Sequence, residues 1–285
     1  MVTSVSGIES GSALDAEAFE AFRTFLQEAA GIDLGSNKQY LVATRIRRIL
    51  IDYKLGSLIE LVQTIKQPSQ RELRQKVIDA MTTNETFWFR DIYPYEYLQN
   101  TLLPEWYKNK PNGRMRIWSS ACSSGQEPYS ISIILEEFSK RNFGKRINAE
   151  IVATDLSTEI MAQAKSAEYD RLSVSRGLSS ERLRENFEEI EKEKWRVKPG
   201  IKSRITFRPQ NLKDSYVMLG KFDIVFCRNV LIYFSGELKQ DIIKRIHATM
   251  TPGGYLFLGS SESLGESAKL FDMVHCSPGV VYRAK

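Results

Sequence analysis

Glu127 and Asp155 are the two acids whose surroundings suggest chemistry. Glu127 follows a run of small residues, 120–125 (SACSSG with Gln126 next), and precedes Pro128, which opens a stretch with apolar residues at Tyr129, Ile131, Ile133, Ile134, Leu135 and Phe138. Asp155 closes the apolar run 149–155, AEIVATD. A small-residue turn between a strand and a helix lets a ligand approach the backbone, and the helix start adds unpaired N–H groups. Phosphate fits poorly, because no Gly-Lys-Ser/Thr follows the turn and Glu127 would repel it. A carboxylate there suits a ligand with positive charge, an ammonium or a sulfonium. An acid at the end of the next strand is where nucleotide-binding α/β proteins meet ribose hydroxyls. The competing reading is a plain strand-to-helix turn whose acid complements the helix dipole.

Further polar groups fall at comparable places. Gln210, Asn211 and Leu212 follow a short strand over 205–208 and make a third loop on the same edge, and Arg228 and Asn229 follow the apolar run FDIVFC that ends in Cys227. Asn84, Thr86 and Arg90 are threaded among Phe87, Trp88, Phe89, Tyr93, Tyr95, Tyr97 and Trp106. A few polar atoms in an apolar lining is the texture of a ligand pocket, with interface packing as the alternative. The two histidines, His247 and His275, fall in a predicted helix and a predicted strand, so a histidine base is poorly supported. Cys122, Cys227 and Cys276 lack paired spacing and histidine neighbours, which speaks against a disulfide framework and against zinc. No metal is expected.

The elements that must position these groups follow from periodicity. A strand over 115–119, the small turn and a helix opened by Pro128 form the first unit. Strands are expected at 149–155, 205–208, 222–227 and 255–260, helices at 161–167 and 235–250, a turn at 251–254, and a closing pair of strands at 271–275 and 280–283. A parallel α/β sheet ending in an antiparallel hairpin is the arrangement of cofactor methyl-transfer enzymes rather than of dehydrogenases. The charged stretch 179–204 is expected as a small inserted element.

Ahead of this domain, residues 1–80 form a small helical bundle: 15–30, a second helix with Val42, Ile46, Ile49, Leu50 and Tyr53 within about 100° of arc, then 57–66 and 69–80 around Pro68. Arg45, Arg47, Arg48 and Lys54 lie outside that stripe, either as a solvated face or as a docking face for an acidic surface. Residues 81–112 form an aromatic link with a helix from Pro94 to Lys108, and 113–285 the catalytic section. The 285 residues, 42% hydrophobic and 26% charged with a net charge of +5, describe an ordinary globular protein. With neither a signal sequence nor a membrane span, a cytoplasmic protein is expected.

In order, TTNETFWFRD, SSACSSGQEPYS, ATDLS, QNL and FDIVFCRNVLIYF closely resemble the CheR family of chemotaxis receptor methyltransferases, and GIDL with TRIRR resembles that family's helical domain. The resemblance covers nearly the whole chain. It implies a Rossmann-like S-adenosylmethionine-dependent methyltransferase sheet, a small all-α N-terminal domain and a small inserted β element. The implied reaction is methylation of receptor glutamates, with S-adenosylhomocysteine as product.

The resemblance also implies that Asn84, Thr86 and Arg90 contact the cofactor, with Glu127 by its methionine end and Asp155 on the ribose. Asn211 and Leu212 would lie by the adenine, Cys227, Arg228 and Asn229 along the floor, and Tyr233 with Arg90 at the methyl-transfer point. Gln126 stands where an acid is expected. Arg45, Arg47 and Arg48 would dock on the methylation helices of a receptor. The inserted segment, 188–207, is slightly short beside tether-binding relatives, so receptor binding without a tether is expected; a monomer is expected as well. Neither nucleic-acid binding nor membrane insertion is expected. Two rival functions are a nucleic-acid methyltransferase and a non-catalytic receptor adaptor. The first usually carries an Asn/Asp-Pro-Pro-aromatic motif where this chain has Arg228-Asn229-Val230-Leu231; the intact pocket residues argue against the second.

Overall fold

The computed structural model describes residues 15–285. The stretch 1–14, which belongs to the predicted helical domain and to the reading of no secretion signal, lies outside the described residues. The described residues form two compact units, one of 15–83 with 233–238 and one of 84–232 with 239–285.

In the first unit α1 (Ala16–Ala30), α2 (Gln39–Asp52), α3 (Leu58–Ile65) and α4 (Arg71–Met81) bury one face each. Asp15 caps α1 by accepting from Ala18 N at 3.3 Å, and Gly31 ends it in a left-handed conformation. Phe19, Phe22 and Leu26 of α1 are buried with Val42, Ile46 and Leu50 of α2, Leu61, Val62 and Ile65 of α3, and Leu73 and Val77 of α4. Ile49 and Tyr53, placed in the predicted stripe of α2, are only half-buried. Tyr233 and Phe234 belong to this unit: Asp33 N donates to the Tyr233 carbonyl at 2.8 Å, and Ile32 bridges Phe234.

The second unit opens with α5 (Tyr93–Tyr97), a π-helical turn (Leu98–Leu102) and α6 (Leu103–Asn109) where the sequence predicts one continuous helix. Pro104 supplies the reason: it has no N–H to give, and just ahead of it Leu103 N reaches back five residues to the Leu98 carbonyl. The main sheet contains β1 (Arg114–Ser119), β2 (Asn148–Asp155), β6 (Ile205–Pro209), β7 (Phe222–Cys227), β8 (Met250–Leu258), β9 (Phe271–Cys276) and β10 (Gly279–Ala284). Their order is β6-β2-β1-β7-β8-β10-β9, parallel through β8, with β10 antiparallel to both β8 and β9. Such an order reverses at β1, so the chain's ligand crevice should open at the carboxyl ends of β1 and its neighbours.

The helices α7 (Gln126–Arg141), α8 (Thr158–Ser166) and α12 (Gly236–Thr249) accompany that sheet. Helix α7 begins two residues before the predicted Pro128, because Gly125 caps it with φ 98°. A Cβ at Gly125 would come within 2.9 Å of Tyr169 Oη and 3.0 Å of the Tyr129 ring, so no other residue fits that corner. Residues 251–254, expected as a turn, lie inside β8. The pairing jumps from Phe222–Met250 to Ile224–Tyr255, and the extra residues are absorbed as a bulge.

A second sheet, β3-β5-β4, is built from β3 (Glu168–Asp170), β4 (Phe187–Glu191) and β5 (Lys194–Val197), all antiparallel, with α9 (Arg171–Ser175), α10 (Ser180–Asn186) and α11 (Pro199–Lys202) around it. It therefore draws a strand from upstream of the charged stretch. Glu168 on β3 is held by Lys194 at 2.8 Å and Arg196 at 2.5 Å on β5. Hydrogen bonds from Lys194 and then Arg196 lower its pKa from 4.5 to about 2. Because the folded value is depressed, this contribution is present above pH 4.5 and is lost as the pH falls towards 2. Carbon-detected NMR should show the Glu168 carboxyl titrating near 2, and a midpoint close to 4.5 would mean that the β3–β5 ion pairs do not hold in solution.

Candidate functional site

The turn after β1 is pinned from both sides. Ser120 N donates to the Phe226 carbonyl at 2.9 Å and Cys122 N to the Thr154 carbonyl at 2.9 Å, so the ends of β7 and β2 set its path. Asp155, nearly buried at the end of β2, accepts from Ser123 N at 2.8 Å and Ser157 N at 3.0 Å. It thereby holds Ser123 at φ 49°, a conformation that costs a non-glycine residue energy and needs such support. Ser123 Oγ donates to the Asn84 carbonyl at 2.8 Å, bringing the 84–90 segment onto the turn. Gln210 N donates to the Asp155 carbonyl at 3.0 Å, which places Asn211 and Leu212 at the same edge. Asn211 Oδ1 accepts from Lys213 N at 3.0 Å, and the Leu212 carbonyl accepts from the Tyr216 hydroxyl.

The floor is an ion cluster. The Arg228 guanidinium, 1% exposed, donates to Glu127 Oε2 at 3.2 Å, to Asp91 Oδ2 at 2.6 Å and to the Arg90 carbonyl at 2.9 Å. Ser119 Oγ gives its hydrogen to Glu127 Oε1 at 2.8 Å. Burial pushes the Glu127 carboxyl up from the usual carboxylate range, against the pull of Arg228 and Ser119. The charge of Glu127 is thus answered from inside the chain, and Glu127 alone no longer argues for a cationic ligand. The cluster as a whole still does, since two carboxyl groups share one guanidinium. At this burial Arg228 acts as an internal counter-ion that ties the α7 start to the segment 89–92, where Phe89, Asp91 and Ile92 all have positive φ.

Asn84, Thr86 and Arg90 are half-buried. The Arg90 guanidinium lies 5.3 Å from the Phe87 ring centre and donates to the Glu85 carbonyl at 3.3 Å. The small sheet supports the same segment: Trp88 packs edge-on against Tyr169 at 4.9 Å and Phe187 at 5.1 Å, and Trp88 N donates to the Arg176 carbonyl at 3.1 Å. Tyr169 Oη also donates to the Ser124 carbonyl at 2.7 Å, in the turn itself.

Cys227 is fully buried, and burial raises its thiol pKa, as it does for Cys122, so neither is a nucleophile at neutral pH. Asn229 adopts φ 56°. It is held by a residue that the sequence reading missed. Glu262 receives the N–H groups of Asn229 and Gly259 on one oxygen, both at 2.7 Å, and those of Val230 at 2.9 Å and Leu231 at 2.7 Å on the other. The only local signal was an acid among the small residues of GSSES.

Tyr233 belongs to the helical unit. Arg45 donates to the carbonyls of Met81 at 3.0 Å and Thr82 at 2.9 Å and to Thr83 Oγ1 at 3.2 Å, closing the end of α4. Arg48 pairs with Asp52 at 2.9 Å on the surface, and Arg47 is exposed with no charged partner among the described residues. No group of three or more His, Cys, Asp and Glu residues able to hold a metal exists among the described residues. No described helix is long and apolar enough to cross a membrane.

The rim offers polar groups to a ligand: Asp155 stands at the end of β2, and the turn beside it is built of small residues. Ser120 Oγ, buried beside the Cys227 thiol, meets no nitrogen or oxygen partner and can serve a polar ligand atom.

Residues 84–280 match the family described as CheR methyltransferase, SAM binding domain, and residues 17–82 match CheR methyltransferase, all-alpha domain. The chain is 55% identical over 268 residues to chemotaxis protein methyltransferase Cher2 of Pseudomonas putida, covering 94% of this chain and 98% of that one. It is 56% identical to chemotaxis protein methyltransferase 1 of Pseudomonas aeruginosa, over 94% of this chain and 97% of the relative. A chemotaxis protein methyltransferase of Vibrio parahaemolyticus is 46% identical, with 94% and 96% covered.

Proposed function

The chain belongs to the CheR methyltransferase family, and from that premise we propose that it moves a methyl group from S-adenosylmethionine to glutamate side chains of chemoreceptors, leaving S-adenosylhomocysteine. The observation that carries the reading is the convergence of the segments at 84–91, 119–127, 155–157, 210–212 and 227–229 on one sheet edge through direct hydrogen bonds. When bound, the donor supplies an electrophilic methyl group on a sulfonium.

The residues then have separable tasks. Asp155 would hold the ribose hydroxyls, Asn211 and Leu212 the adenine, and Asn84, Thr86 and Glu127 the methionine end, over a floor of Cys227, Arg228 and Asn229. A glutamate side chain, with a reference pKa of about 4.3, is already ionised at neutral pH and needs no base. What the chain must do is align that oxygen with the methyl group and keep water away from both charges. Arg90 grips a carboxylate in a bidentate manner, either the incoming glutamate or the donor's own.

We read the enzyme as a cytoplasmic monomer that meets the methylation helices of its receptors through the helical unit, without a tether. Arg47, exposed on α2 with no charged partner among the described residues, is the charge assigned to that contact.

The direct test is mass spectrometry of receptor peptides after incubation with isotopically labelled S-adenosylmethionine. Label on glutamate as a methyl ester is expected; label in total RNA or DNA, or none at all, would refute the reading. Arg90→Ala should keep the thermal unfolding profile and cut turnover roughly ten- to hundredfold, the value of a charged hydrogen bond. Tyr233→Phe should cost less. A rise in the receptor KM assigns Arg90 to the substrate, a rise in the donor KM assigns it to the cofactor, and unchanged turnover in both variants removes them from the site.

A further inference from the structure

The backbone N–H groups of Asn229, Val230 and Leu231 point in succession at one carboxylate, that of Glu262, with distances of 2.7, 2.9 and 2.7 Å. Consecutive amides around a residue with positive φ form a concave anion site, and Asn229 supplies that φ, at 56°. Such nests bind anions, phosphates among them. Here the chain fills it with its own side chain. Gly259 N adds a fourth bond at 2.7 Å, so the same carboxylate joins the loop after β8 to the loop after β7. The fit is close. A Cβ on Gly259 would lie 2.7 Å from Asn229 Nδ2 and 2.7 Å from Glu262 Oε2, so only glycine lets the two loops meet.

We propose that Glu262 is a positioning residue for methyl transfer: an internal anion that fixes the backbone of 229–231, and through it the Asn229 side chain and the Arg228 anchor of Arg90, in the geometry the donor needs. The proposal rests on the reading of this rim as the S-adenosylmethionine site. Its chemical content is that a carboxylate is required, because four N–H donors converge on two oxygens and charged acceptors make the stronger bonds. Glutamine offers a single acceptor oxygen and sets an N–H₂ against donors. Alanine opens the nest and leaves it vacant for an external anion of the right shape.

The experiment uses the full chain, with S-adenosylhomocysteine affinity by calorimetry and steady-state methylation of receptor. Glu262→Gln is expected to keep cooperative thermal unfolding, to weaken S-adenosylhomocysteine binding tenfold or more, and to raise the donor KM more than it lowers kcat. Glu262→Ala is expected to show a larger loss that formate or acetate, but not chloride at equal ionic strength, restores in part. Wild-type affinity and donor KM in Glu262→Gln would overturn the proposal. So would losses that follow falling thermal stability across both variants with no response to formate. Failure of the wild-type chain to bind S-adenosylhomocysteine would instead overturn the site itself, and this proposal with it.

Discussion

Arg228→Met is expected to destabilise the protein by about 3–5 kcal/mol, the usual cost of removing one partner from a buried ion cluster. Domains commonly have about 5–15 kcal/mol of stability in all, so the loss is a large share. Methionine fills much of the space of the arginine stem, which makes the missing charge the main change. Glu127, nearly buried on α7, and Asp91 would then face each other without the guanidinium, and the carbonyl of Arg90 would lose its donor. Urea unfolding monitored by fluorescence measures the loss. Adding Glu127→Gln and Asp91→Asn to Arg228→Met should recover part of it, since the stranded charges are then gone; such recovery separates charge from packing. An unfolding midpoint equal to wild type in Arg228→Met would show that the cluster contributes nothing.

Asp155→Ala has the second large effect, on binding rather than on stability. S-adenosylhomocysteine affinity should fall more than tenfold, which is about 1.4 kcal/mol or more. Two causes act together. The carboxylate is the group assigned to the ribose, and it also holds Ser123 N at 2.8 Å and so the strained φ of the turn. Asp155→Asn separates them, because an amide oxygen can still accept from one backbone N–H while offering the diol a weaker partner. Calorimetry giving the wild-type affinity for Asp155→Ala would take Asp155 off the ribose.

Much of this architecture could be read from the sequence because the relevant signals are local. The turn at 120–125, the acid at 155 and the loop at 210–212 each sit at the end of a run whose apolar pattern announces a strand, and a parallel sheet brings strand ends to one edge. The strand at 222–227 was legible for the same reason. What the sequence did not show were partnerships across long separations. Asp91 and Arg228 lie 137 positions apart, and nothing near either one announces the other. Glu262 serves amides 31 to 33 positions away. Arg45 looked like a surface charge because a helical wheel shows which face a residue occupies but not that its long stem can reach the carbonyls ending α4. The break at 98–102 escaped notice because the helix expected from Pro94 to Lys108 was drawn straight through Pro104, whose missing N–H acts on the turn before it.

The bond from Tyr169 to the Ser124 carbonyl, together with the seat of Trp88 on Tyr169 and Phe187, bears on how this protein can be re-engineered. The three-stranded sheet is not a detachable accessory. A chimera that exchanged residues 168–197 for those of a relative, in order to alter which receptors are served, would also replace two of the struts beneath the turn after β1 and the segment 84–90. Such a graft has to carry matching residues at 85–90 and 123–125, or its change in receptor preference will be confounded by a change in donor affinity.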